Sequence, residues 1–140
     1  MPTAVADLDK AFYEVVTTDE VLRTILAGKM FYDAQPPQGS QIPYINLGTT
    51  GETIRNVFNG AGNIGTIRLH IWATSRKKAL EIYKHLNRLL NRVELILDDN
   101  VLVQGETSLN TIMRDPDRAD IIHASMIYSF VTKEIPDVSP

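Results

Sequence analysis

The run from Thr66 to Ala73 alternates without a break, with Ile67, Leu69, Ile71 and Ala73 on one side and Thr66, Arg68, His70 and Trp72 on the other. Successive side chains of a β-strand point to opposite faces, so this segment reads as a strand with one core-directed face. The residues after it follow a different period. Thr74 or Ser75 is placed to cap a helix in which Ala79, Ile82, Tyr83, Leu86, Leu89 and Leu90 form an apolar stripe. That stripe needs a sheet to lie on, and the preceding strand supplies one.

The remaining segments are read against this pair. Leu8, Ala11, Phe12, Val15 and Val16 recur at helical spacing and predict an amphipathic first helix. Thr17-Thr18-Asp19-Glu20 reads as a capping box, with Val16 and Val21 at the staple positions. It opens a short second helix through Val21, Leu22, Ile25 and Leu26, which Gly28 ends. Asp33 to Ser40, with Pro36, Pro37 and Gly39, cannot hold a helix and should run extended into a strand at Ile42 to Leu47. Pro43 puts that strand at an edge or at its own start. Gly48 to Gly62 also contains Gly51 and Gly60 and has no clear period, so it is read as a long mobile loop or a hairpin arm. Val93 to Leu97 and Val101 to Val103 flank the turn triplet Asp98-Asp99-Asn100 and predict a hairpin. Gln104 to Met113 is expected to be extended. The turn Asp115-Pro116-Asp117 leads to a last strand with Ile122, Ala124, Met126, Tyr128 and Phe130 on one face, and residues 136–140 form a frayed tail. The order predicts an α+β domain spanning residues 1–135: a mostly antiparallel sheet of four to six strands, with the N-terminal helices and one central helix packed on it.

Composition narrows the function classes. The 140 residues include 14 Lys and Arg against 17 Asp and Glu, a net charge of -3. That balance argues against tight general binding to nucleic acid, which is driven by many cation-to-phosphate contacts. The chain has no cysteine, which excludes disulfides, thiolate metal sites and a cysteine nucleophile while leaving the redox compartment open. The first ten residues contain two aspartates and no basic start to an apolar stretch, so no secretory signal is expected. Ile121 to Thr132, the longest uncharged apolar-rich run, is far short of the roughly 20 residues needed to cross a bilayer.

Several groupings imitate reactive sites. Gly60-Ala61-Gly62-Asn63-Ile64-Gly65 is a literal GxGxxG, but it opens a period-two strand rather than a helix, and that context defeats the dinucleotide reading. His70, His85 and His123 form no HxH or HxxxH pair and predict no metal site. Asp98 with Asp99, and Asp115 with Asp117, sit in predicted turns, where Asp is favoured by its bond to the following backbone. No hydroxyl stands in a nucleophile elbow. Arg76, Lys77 and Lys78 occupy the first turn of the central helix against its dipole, either as a solvated basic turn or as a docking point for an acidic partner. Arg68, His70 and Trp72 form a second sheet face, suited to a protein interface or to packing under the first helices. No catalytic residue, cofactor or metal is expected.

The most distinctive text is Ala27-Gly28-Lys29-Met30-Phe31-Tyr32-Asp33-Ala34-Gln35-Pro36-Pro37-Gln38-Gly39, followed by Ile42-Pro43-Tyr44-Ile45-Asn46-Leu47-Gly48. With the strand ending at Trp72-Ala73-Thr74-Ser75, the Lys-, Ala- and Leu-rich helix, and Arg114-Asp115-Pro116-Asp117 before a long last strand, the chain resembles the tail-completion proteins, or tail terminators, of long-tailed phages, from Leu8 to Lys133. Met30 stands where that family's pattern has Ile. The resemblance implies a structural virion protein found at the head-to-tail junction and assembled in the host bacterial cytoplasm. It implies a homo-oligomeric ring, commonly a hexamer, that caps the tail tube, stops its polymerisation and meets the head connector. Its partners would be the major tail tube protein and the connector, with DNA passing through the lumen without specific binding and no membrane involved. A ring of identical subunits needs two different patches. The candidates are Arg55, Asn56, Val57 and Phe58 in the loop, and Arg68, His70 and Trp72 on the sheet. Three alternatives stay open: a head-to-tail adaptor or stopper, a small α+β enzyme or ligand-binding module using His70 or His123, and a plain dimeric binding domain.

Overall fold

The structure, a computed structural model, describes residues 4–26, 30–31, 42–57, 60–118 and 120–135. In chain order the elements are α1 (Ala4–Thr18), α2 (Glu20–Leu26), β1 (Met30–Phe31), β2 (Tyr44–Val57), β3 (Gly60–Ala73), α3 (Arg76–Leu90), β4 (Asn100–Arg114) and β5 (Ile122–Glu134). The strands form one sheet in the order β1-β2-β3-β5-β4. The long strands pair antiparallel, and short β1 joins β2 in parallel, so the fold is α+β as the sequence pattern implies.

Ile67, Leu69, Ile71 and Ala73 of β3 and Ala124, Met126, Tyr128 and Phe130 of β5 all turn to one face and are buried there. The helices supply the other half of the core: Leu8, Phe12 and Val16 from α1, Leu22 and Leu26 from α2, and Ala79, Ile82, Leu86 and Leu90 from α3. Phe12 meets Tyr128 edge-on, with ring centroids 4.8 Å apart. On β4, Gly105 leaves room for Tyr128, since a Cβ there would run into the phenol hydroxyl and come within 2.6 Å of Cζ. α3 begins as expected, with the Ser75 hydroxyl accepting from the Lys78 amide at 3.1 Å.

Three local expectations are corrected. The cap of α2 is Asp19, whose carboxylate accepts from the Leu22 amide at 3.1 Å and pairs with Arg88 of α3 at 3.0 Å. The Thr17 hydroxyl instead donates back to the Tyr13 carbonyl, because α1 is still helical there. Burial of Asp19 works against its ionisation, but the Leu22 amide and the Arg88 guanidinium outweigh it and hold the pKa below the ordinary value. The second correction concerns 48–62, where the mobile-loop reading gives way and the hairpin-arm alternative is the one that occurs. β2 continues to Val57 and pairs with β3 as far as Val57 opposite Gly60, making a long hairpin with one irregularity between Leu47 and Thr50. Backbone pairing needs no apolar period, and Gly51, Gly60 and Gly62 are accommodated in the ladder while Gly48 falls at the irregularity. Third, Val93 to Leu97 forms no strand. It runs beside β4, buries Leu95 and Leu97, and makes a single bridge between Ile96 and Val101. Gly28, the segment 32–41 and the tail 136–140 lie outside the described residues.

Candidate functional site

The same alternation that buries Ile67, Leu69 and Ile71 sends Arg68, His70 and Trp72 to the opposite side of the sheet, away from the helical layer. Antiparallel register then fixes their neighbours. Tyr44, Trp72, His123 and Met113 fall in one row across β2, β3, β5 and β4. Asn46, His70, Ser125 and Thr111 form the next row. Arg68 follows on β3, opposite Ile127.

These rows make a connected cluster. The Trp72 indole N–H donates to Asn46 Oδ1 at 2.7 Å. The indole stacks on the His123 imidazole, with centroids 4.1 Å apart and planes 6° from parallel, and Tyr44 leans on its other side at 6.2 Å. His70 Nδ1 and His123 Nε2 lie 2.7 Å apart, a hydrogen bond in which one ring gives the proton and the other accepts it. Gly48 permits this packing, since a Cβ there would enter the His70 ring.

The electrostatics follow from half-burial. Desolvation lowers the His70 pKa, and the neighbouring His123 and Arg68 push it further down. Desolvation likewise lowers His123, against a smaller upward pull from Asp115. Both shifts favour the neutral rings, and a neutral pair makes this bond with one ring as donor and the other as acceptor. Burial raises the Tyr44 phenol, with Asp115 adding to the effect.

An aromatic and imidazole surface of this kind is suited to adhesion: large rigid rings with polar edges, pre-positioned by a sheet. The two histidines already use each other, and among the described residues no group of three or more His, Cys, Asp or Glu side chains is placed to hold a metal. His85 lies apart on α3. A shallow cleft of about 380 Å³ at the start of α3, lined by Thr74, Ser75, Arg76 and Met113 among others, includes none of the three histidines. Asp115 Oδ1 accepts from the Asp117 amide at 2.9 Å, Asp98 pairs with Lys10 at 2.7 Å, and the Asp99 amide donates to Asp7 at 2.9 Å, all structural uses. The GxGxxG text lies within β3 rather than at a helix start.

Of the two sets of site residues predicted from sequence, Arg68, His70 and Trp72 share one face. Arg55, Asn56 and Val57 are placed as β2 backbone opposite Gly62, Ala61 and Gly60, at the far end of the sheet from Trp72, and Phe58 lies outside the described residues. Sequence reasoning did not join Tyr44, Asn46 and His123 to the cluster. Their signal was periodic: each is on an alternating strand, but the register that aligns them comes only with the pairing.

Comparison with known proteins bears on the fold and on the family. A chain from a structure titled "Virion of native gene transfer agent (GTA) particle" superposes with a TM-score of 0.76 at 20% identity, covering 95% of this chain and 99% of that one. No curated protein sequence matches. The family model described as Tail completion protein gp17 matches residues 10–133, a span that takes in all of the sheet but the last residue of β5 and includes the Trp72–His123 cluster. On that match the chain belongs to the tail completion protein gp17 family, and it is a structural protein of the phage tail.

Proposed function

We propose that this protein is a tail terminator: a ring, commonly hexameric, that settles on the finished tail tube, halts its growth and offers the head connector a surface to join. The observation that carries this reading is the family match over residues 10–133, which covers nearly all of the sheet and helices. The likeness to a chain of a gene transfer agent virion supports the same phage-like setting. The mechanism is binding energy rather than bond chemistry. Trp72, stacked on His123 and tied to Asn46, is a rigid anchor of the type that dominates interfaces, with Arg68 and His70 beside it and the hairpin end at Arg55, Asn56, Val57 and Phe58 as the second contact region. A net charge of -3 suits a passage that DNA crosses without adhering.

Electron microscopy of particles assembled without the protein tests this. Overlong tails, or tails that do not join heads, are expected, and normal virions would overturn the assignment. Replacing Trp72 by Ala in the full-length protein should leave the fold intact and reduce the yield of joined particles. Unchanged yield would remove the sheet face from the reading.

A further inference from the structure

Resting on that ring reading, we infer that neighbouring subunits join edge to edge, with the outer edge of β4 on one copy pairing antiparallel with the outer edge of β2 on the next. Six of the ten exposed large apolar side chains among the described residues lie on β4 or on the segment beside it: Val93, Ile96, Val101, Val103, Leu109 and Met113. Ile96 is 93% exposed. Isolated exposed apolar residues are ordinary, but their concentration along one side of the molecule marks a contact surface.

The backbone of this side points the same way. Up to Thr107 the outer edge of β4 is used internally: the Arg92 amide donates to the Gly105 carbonyl at 2.8 Å, and Asn91 Oδ1 accepts from the Thr107 amide at 2.9 Å. From Ser108 to Met113 no partner satisfies that edge among the described residues. The sequence there, Ser-Leu-Asn-Thr-Ile-Met, has no charge and no proline. Monomeric proteins guard such an edge with Lys, Pro or a covering element. Here only the irregularity between Leu109 and Thr111 interrupts it.

At the opposite side of the sheet, β1 pairs with β2 only at Ile45 and Asn46, and among the described residues nothing pairs with the outer edge of β2 from Leu47 to Val57. Three antiparallel steps separate β2 from β4, so the two run in opposite directions. A copy related by rotation about an axis that runs along the strands keeps their directions. It therefore presents β2 to β4 in the antiparallel sense, the more stable pairing. Because the two edges differ, the contact is heterologous, so it propagates beyond a dimer and yields a closed ring when the rotation between copies closes. The occupant of each edge is a second copy of this chain.

The absence of native cysteine makes a direct test possible. Gly51 of β2 and Ser108 of β4 both lie on the helix-free face and are exposed, and a side chain at Gly51 would meet nothing within 4 Å. Full-length Gly51→Cys and Ser108→Cys chains are mixed at concentrations, or in purified particles, where the wild-type protein is oligomeric, and treated with a short thiol-to-thiol cross-linker. The expected product joins one chain of each kind, and the double variant should yield a covalent ladder ending at the ring size. Oligomers without these products, or products from either single variant alone, would overturn the edge-to-edge contact while leaving the ring standing. A protein that is monomeric both in solution and in the particle would overturn the ring reading and this inference with it.

Discussion

Substituting Gly105 by Ala tests whether the fit beneath Tyr128 holds β4 to the core. The added methyl would meet the Tyr128 hydroxyl first, then Cζ at 2.6 Å and Cε2 at 3.2 Å. The ring has little freedom to retreat, because Tyr128 is fully buried and packed edge-on against Phe12. Overpacking of this type costs about 1–3 kcal/mol, and the upper end applies when a ring is held on both sides. Tyr128→Phe is a useful companion. The hydroxyl is buried with no hydrogen-bond partner among the described residues, and burial pushes the phenol pKa up to about 12. Its removal alone should be neutral or stabilising by up to about 1 kcal/mol. In the Gly105→Ala background it should recover about 1 kcal/mol more, a rescue left partial by Cζ. Urea unfolding of the four proteins reads all three numbers. With a typical slope, Gly105→Ala should lower the midpoint by roughly 1–2 M. A Gly105→Ala protein within 0.5 kcal/mol of wild type, or strict additivity of the two changes, would refute the packing argument.

Two further predictions concern protons. Burial raises Asp9 to about 6, and Oδ1 has no partner among the described residues. The stability from its protonated form is fully present below the unfolded value near 3.8 and is lost as pH rises through about 6. Asp9→Asn should therefore stabilise the protein at pH 7.5 by about 1 kcal/mol, allowing for partial solvent screening, and by almost nothing at pH 3.5; an equal gain at both pH values would contradict it. His70 and His123 have lowered pKa values, so their contribution is present above the unfolded value of 6.5 and is lost as pH falls through their folded values. The thermal midpoint should drop more steeply below pH 6.5 in wild type than in the His70→Gln, His123→Gln double variant, and parallel curves would refute the lowered pKa values of the pair.

Much of the fold was legible because its signals are local. The alternation at Thr66 to Ala73 and the stripe from Ala79 to Leu90 each specify an element without outside help, and β3 and α3 occur where they place them. The hairpin from Thr50 to Gly62 was harder to read, because its sequence carries no alternating apolar period to announce a strand. Val93 to Leu97 misled in the opposite way. Its alternation is genuine, with Leu95 and Leu97 buried and Ile96 outside, yet Arg92 spends its amide on Gly105 and the segment passes beside β4 with one bridge. At the candidate site, period two indicated which β3 residues share a face. It could not show that His123, fifty-three positions beyond His70, would stand beside it, because register between distant strands is a tertiary outcome.

The middle of the sheet has a bearing on how the molecule comes into being. β3 is flanked by β5, whose pairing joins Gly62 to Lys133 and Ala73 to Ile122, and the Asp7 carboxylate at the beginning of the chain waits for the amide of Asp99 and the side chain of Asn100. A nascent polypeptide still lacking its final segment would leave β3 bare on that flank, with the core's largest ring, Tyr128, not yet delivered. Contacts this far apart in sequence slow folding, because α1, β3 and β5 must all be brought together before the core closes around Tyr128.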